Sequence, residues 1–251
     1  MAKLKQHTKS EGTAHNAHSL NHRLTEIYRL LLARYGPQHW WPADTAFEVI
    51  VGAILTQSAA WANVEKAISN LKQARVMNPA SLRKLPLSKL AKLIYPSGYY
   101  NAKALKLKSF VEYLEEAHED SLERLFSLDI HRLRSELLNI HGIGPETADS
   151  IILYAAHKPI FVIDAYTRRI LSRLGLNPSM DNYPAFQAIF MDNLPADEKL
   201  FNEYHALLVR HGKEVCKKVP LCDNCCLRKL CIYYLTNNVI DSRAHNLSLR
   251  V

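Results

Sequence analysis

Only one segment of this 251-residue chain reads as extended, "PIFVI" at Pro159–Ile163, and five residues cannot make a sheet. The other patterned stretches repeat at the helical period, so the fold class is all-α. "SLNHRLTEIYRLLLARYG" puts Leu24, Ile27, Tyr28, Leu31, Leu32 and Tyr35 on one face and stops at Gly36-Pro37. "TAFEVIVGAILTQ" is apolar nearly all round, which suits a central buried helix. Further helices are predicted at about 62–73, 79–85, 88–94, 101–117, 121–126, 129–139, 146–156, 165–174, 183–192 and 198–213. Asn78-Pro79, Ser88, Asn101 and Asp129 read as their caps. The loops are short, as in compact helical domains.

The length allows one large domain or two small ones, and 48% hydrophobic residues supply a core. No apolar run reaches the about 18 residues of a membrane span. Residues 1–19 are polar and rich in His and Lys. They lack the apolar stretch of a secretory signal and read as a disordered basic arm. The tail, 235–251, reads as loose. A net charge of +8 favours a polyanionic partner, against the blander alternative of an ordinary basic protein.

All five cysteines fall between Cys216 and Cys231, so a secreted disulfide framework is not indicated. Cys216-x5-Cys222-x2-Cys225-x5-Cys231 places four thiolates in one short loop, which would bind a four-iron four-sulfur cluster or zinc. Cys226 is extra and could in principle replace Cys225. Lys217, Lys218, Arg228 and Lys229 decorate the loop as phosphate contacts or as solvated charges.

"LLNIHGIGPETADSIILYAA" reads as helix, tight turn, helix, with Gly142 and Gly144 in the turn and Pro145 opening the second helix. N–H groups there could bind a phosphate oxygen, although a plain helix corner also uses glycine. Twenty residues beyond Gly144 stands Asp164, which would at least cap "AYTRRIL". Trp40 and Trp41 precede the central apolar helix and Trp61 follows it. Periodicity does not decide whether they meet, and core packing is the plainer role for each.

Ile140-His141-Gly142-Ile143-Gly144-Pro145-Glu146-Thr147-Ala148, followed by Ile163-Asp164, resembles the helix-hairpin-helix of the endonuclease III superfamily of DNA glycosylases. That motif reads approximately Leu-Pro-Gly-Val-Gly-x-Lys-Thr-Ala and then Val-Asp. The likeness runs from about Trp40 to Cys231. It implies a two-domain fold with a C-terminal iron–sulfur loop. A helical barrel would occupy 38–158 and a cluster domain 20–37 and 159–234, with DNA along the groove between them. The hairpin, with Gly142, Gly144 and Thr147, would grip DNA backbone, and Asp164 would face the sugar of a flipped-out nucleotide as the catalytic carboxylate. "AILTQ" resembles the helix whose glutamine, here Gln57, enters the space left by the flipped base. "GYYNAKA" resembles the loop that wedges the opposite strand, which nominates Tyr99.

Strand-cutting members carry lysine where Glu146 stands. A carboxylate forms no Schiff base, so removal of the base alone is implied. Trp40-Trp41-Pro42, Trp61, Pro96-Ser97-Gly98-Tyr99-Tyr100-Asn101 and Glu146 together resemble the 3-methyladenine DNA glycosylase branch. Trp40, Trp41, Trp61 and Glu146 would then form the base pocket, and Lys213 in "RHGKEVC" matches a lysine near it. The superfamily's Cys-x6-Cys-x2-Cys-x5-Cys loop, one residue longer than here, holds a four-iron four-sulfur cluster. It implies Cys216, Cys222, Cys225 and Cys231 as ligands, with zinc as the alternative.

The expected protein is a monomeric, cytoplasmic, nucleoid-associated enzyme acting on double-stranded DNA with a damaged base. It would remove alkylated purines such as 3-methyladenine. The alternatives are uracil, mismatched or oxidised pyrimidine glycosylases, or a non-catalytic DNA-binding iron–sulfur protein.

Overall fold

The computed structural model describes residues 11–237, with side chains from Leu20 onward. Residues 1–10 of the expected arm and 238–251 of the expected tail lie outside the described residues. The described residues hold thirteen α-helical segments, the last at 232–237, and no strand. Ile160–Ile163 runs as buried irregular chain, its side chains no more than 5% exposed. The all-α helix-hairpin-helix expectation holds.

The chain divides into two compact units. The first comprises the chain up to Gln38, Ile163–Ala196 and the chain from Glu203 onward; the second comprises His39–Val162 and Asp197–Asn202.

In the first unit α1 (Glu11–Tyr35) buries Leu24, Ile27 and Leu31, while Tyr28, Leu32 and Tyr35 are half-buried. Its backbone is helical from Glu11, so 11–19 departs from the disordered arm expected there. The segment has no proline, and adding turns to a helix already held by its apolar face costs little. The helix ends where Gly36 takes φ +68°. Tyr204 packs against Tyr28 and Phe190 with ring centroids 5.2 and 5.5 Å away, and its hydroxyl donates to Leu24 O. This unit also contains α10 (Ala165–Arg173), α11 (Tyr183–Met191) and most of α12 (Glu198–Glu214).

The second unit surrounds α2 (Ala46–Leu55), every residue of which from Phe47 onward is buried. Packed about it are α3 (Trp61–Gln73), α6 (Tyr100–His118) and α9 (Pro145–Tyr154). The smaller helices α4 (Pro79–Lys84), α5 (Leu87–Leu93), α7 (Leu122–Ser127) and α8 (Ile130–Asn139) complete it. Asn78 and Asp129 cap α4 and α8 as read. Ser88 and Asn101 do not cap. Pro86, already at helical φ, starts α5 earlier, and α6 begins after Tyr99 at φ +46°.

Candidate active site and cysteine-lined cavity

α8, a tight turn and α9 form a hairpin in the second unit. Gly142 takes φ +81°, a conformation that favours glycine. Gly144, at φ −91°, is the N-cap residue of α9 and gives no side-chain cap. A Cβ built on Gly144 would meet nothing within 4 Å, so the protein's own packing does not demand glycine there. Open space beside first-turn N–H groups suits close approach by an outside anion. Thr147 is buried, and Glu146 is exposed in the first turn of α9. Gln57 reaches this turn. Its amide nitrogen donates to Gly142 O at 3.1 Å and to Thr147 Oγ1 at 2.9 Å.

The three tryptophans meet. Trp40 lies 5.0 Å from both Trp41 and Trp61, and Trp41 stands edge-on to Trp61 at 5.3 Å. The approach to α2 makes this possible. Trp41 lies against Gly52, where an added Cβ would stand 3.0 Å from the indole. Gly52 is well along α2, so the preceding segment runs back beside the helix toward its far end, where Trp61 begins α3. Tyr154 joins at 5.4 Å from Trp41; sequence reasoning missed it. Its signal was an aromatic two turns beyond Thr147 on the hairpin's second helix. Trp40, Trp41, Asp44, Tyr154, His157 and Asn202 line part of an open cavity of about 270 Å³. Trp61 borders the indoles, its Nε1 donating to Glu65 Oε1 at 2.7 Å.

Tyr99 is 75% exposed and held in the left-handed region between Gly98 and α6. Such a conformation costs a tyrosine about 1–2 kcal/mol. Lys103, four residues on, is buried and donates to Leu55 O and Ser97 O at 2.9 and 2.7 Å. Burial, with help from Lys106, lowers its pKa to about 8.

In the first unit Asp164 is the N-cap of α10, its Oδ1 accepting the Thr167 N–H at 2.7 Å. Its Oδ2 lies 3.9 Å from His205 Nε2. Burial lowers the His205 pKa; Asp164 opposes that shift and Lys213 adds to it. Asp164, His205 and Lys213 therefore share one electrostatic neighbourhood, with a neutral imidazole beside the carboxylate. Sequence reasoning missed His205. Its only signal was a polar side chain on α12 two turns before Lys213.

Cys216, Cys222, Cys225 and Cys231 all line one small cavity, with Arg173 and Arg228. Cys226 is not in that lining; its electrostatic partners are Arg34, Tyr35 and Cys225. Arg173 donates to Cys216 Sγ at 3.2 Å and to the Lys217 and Lys218 carbonyls, and Arg169 holds the Cys216 and Gly212 carbonyls. Among the described residues, no three His, Cys, Asp or Glu side chains are grouped to hold a single metal ion. Burial raises the Cys222 thiol pKa and pushes that of Cys225 up to about 12.

The sequence pattern of HhH-GPD superfamily base excision DNA repair proteins matches residues 51–196, more than half of the chain and spanning the hairpin and Asp164. The chain belongs to this superfamily. A candidate DNA repair glycosylase of Methanocaldococcus jannaschii is 46% identical over 208 residues, covering 82% of this chain and 94% of its own. Endonuclease III of Sulfolobus acidocaldarius is 32% identical over 193 residues, covering 76% and 83%.

Among solved HhH-GPD-like structures, H. pylori 3-methyladenine DNA glycosylase bound to 1,N6-ethenoadenine superposes with a TM-score of 0.66 at 28% identity. It covers 78% of this chain and 97% of its own. A trapped endonuclease III–DNA covalent intermediate superposes with a TM-score of 0.75 at 21% identity, covering 86% and 98%, a likeness of fold alone. The HhH-GPD protein is thus a DNA glycosylase of base excision repair by family. Among the described residues no helix is long and apolar enough to cross a membrane.

Proposed function

We propose that this glycosylase hydrolyses the N-glycosidic bond of alkylated purines such as 3-methyladenine in double-stranded DNA and leaves the strand intact. The observation that carries the reading is the joined aromatic cluster of Trp40, Trp41, Trp61 and Tyr154 beside an open cavity. A purine methylated on a ring nitrogen is cationic and is held by aromatic faces with about 0.5–2 kcal/mol. It is also a good leaving group and needs little acid catalysis. Glu146 adds negative charge to such a pocket, and Lys213 stands in the neighbourhood of the reacting carboxylate. The 28% likeness to the H. pylori 3-methyladenine enzyme supports the same choice.

Gly142, Gly144 and Thr147 would hold the DNA backbone, Gln57 would fill the space of the flipped base, and exposed Tyr99 would wedge the other strand. Asp164 would stabilise the oxocarbenium-like sugar and orient water through Oδ2, since Oδ1 is committed to the helix cap. With Glu146 in place of lysine, no Schiff base forms at the hairpin.

The donor chemistry of the loop fits an iron–sulfur group. Cys216, Cys222, Cys225 and Cys231, which line one cavity, would supply the four thiolates that a four-iron four-sulfur cluster takes, with zinc as the alternative. Bound there, it would tie the loop to α10 and α12 as a structural element. Arg169 and Arg173 already orient the loop carbonyls.

The test is single-turnover base release at one salt concentration on duplexes carrying 3-methyladenine, uracil or thymine glycol. 3-Methyladenine should be fastest, with strands intact until alkali and no borohydride trapping on abasic DNA. A faster neutral pyrimidine would refute the substrate. Trapping would put the amine on Lys213, because Lys103 is buried against two carbonyls.

A further inference from the structure

The hairpin turn has a partner in its own unit that motif reading passed over. Lys106, half-buried on α6, lays its methylenes across Gly142. A Cβ built on that glycine would stand 2.3 Å from Lys106 Cγ and 2.7 Å from its Cε. The ammonium of the same lysine ends on Gln57 Oε1. The other end of that amide donates to Gly142 O and Thr147 Oγ1. Both N–H groups and the oxygen of Gln57 are therefore used. If the amide turned end for end, its N–H groups would face an ammonium and its oxygen would face a carbonyl. Lys106 thus decides which end of Gln57 meets the turn, and its stem occupies the one side of Gly142 where a Cβ would go.

We infer that Lys106 is a positioning residue, holding Gln57 and the hairpin turn in a single register for DNA. The inference deepens the DNA-contacting reading of Gln57 and Gly142 and rests on it. Lys106 acts through Gln57 and not as an independent phosphate contact. Lys106→Met keeps the methylenes over Gly142 and removes only the donor, whereas Lys106→Arg keeps a donor.

The experiment uses the full chain and a duplex with a stable abasic-site analogue, titrated at several salt concentrations, for Gln57→Ala, Lys106→Met, Lys106→Arg and the Gln57→Ala/Lys106→Met double variant. Gln57→Ala and Lys106→Met should each weaken binding about tenfold, the scale of one charge-assisted hydrogen bond. The double variant should be no weaker than Gln57→Ala, and Lys106→Arg should stay within about threefold of the parent. Thermal midpoints of the two Lys106 variants should be unchanged, because the side-chain stem over Gly142 is kept.

If Gln57→Ala binds like the parent, the reading of Gln57 itself fails. If Gln57→Ala is weak but Lys106→Met binds normally, the Lys106 inference alone fails. Additive losses, with the salt slope reduced by about one, would show a plain phosphate contact and overturn it as well.

Discussion

Asp164 carries two tasks on two oxygens. Oδ1 takes the Thr167 N–H and starts α10, while Oδ2 faces His205. Asparagine keeps a capping oxygen but not the charge, so Asp164→Asn should keep the fold and lose base release by orders of magnitude. Asp164→Ala should lose about 0.5–2 kcal/mol of stability as well. Near-parental turnover in the asparagine variant would leave the residue as a cap only.

Lys103 gives a different residue-scale prediction. Its folded pKa, about 8, lies below the ordinary 10.5. Between those values the unfolded chain keeps a proton that the folded chain has released. Its contribution to stability therefore rises with pH across that window and is fully present only above it. Urea unfolding of the parent and of Lys103→Met at pH 7.5, 9 and 10 should show their difference shifting in favour of the parent as pH rises. A difference independent of pH would mean that Lys103 titrates as an exposed lysine does.

At the scale of elements, the hairpin is held from behind. Arg134 on α8 donates to Asp149 on α9 at 2.7 and 3.3 Å. Asp149 is fully buried, while the Arg134 side chain is 27% exposed and can turn to water. The two halves of this pair are unequal. Arg134→Met leaves the Asp149 charge buried without its guanidinium and should cost about 3–5 kcal/mol. Asp149→Asn removes the charge itself and should cost about 1–3 kcal/mol. Equal losses in chemical denaturation would contradict this asymmetry. Either variant should also weaken DNA binding if the α8–α9 angle sets the turn.

For the whole molecule, the cysteine loop and the charge make the broadest claims. Anaerobically purified protein should be yellow-brown and contain iron and sulfide. Cys225→Ser should lose the iron, whereas Cys226→Ser should keep it, since Cys226 lies away from the cavity lined by the other four. Colourless folded protein with one zinc per chain would overturn the cluster. The net charge of +8 leads to DNA affinity that falls steeply with salt, with a log–log slope of about −0.9 per phosphate neutralised.

Most helices were legible because their apolar faces repeat at 3.6 residues. Predicted and observed ends of α3, α9 and α12 differ by at most two residues. The hairpin and its distance to Asp164 were legible for a related reason. A turn that requires glycine, and a helix start that requires a cap, write themselves into residue type. What packs beside what did not. Sequence left the tryptophans as core or pocket, because a 3.6 period places a side chain on a face without saying which face returns to it. Tertiary structure decided that they meet, by running the segment before α2 back along Gly52 to Trp61 and Tyr154. Five cysteines in one run suggested a metal loop, but only the folding of that loop put Cys225, and not Cys226, in the lining of the cavity shared with Cys216, Cys222 and Cys231. Nothing in the sequence singled out Lys106, and the reach of its side chain over Gly142 to Gln57 exists only once α6 and the hairpin are packed together.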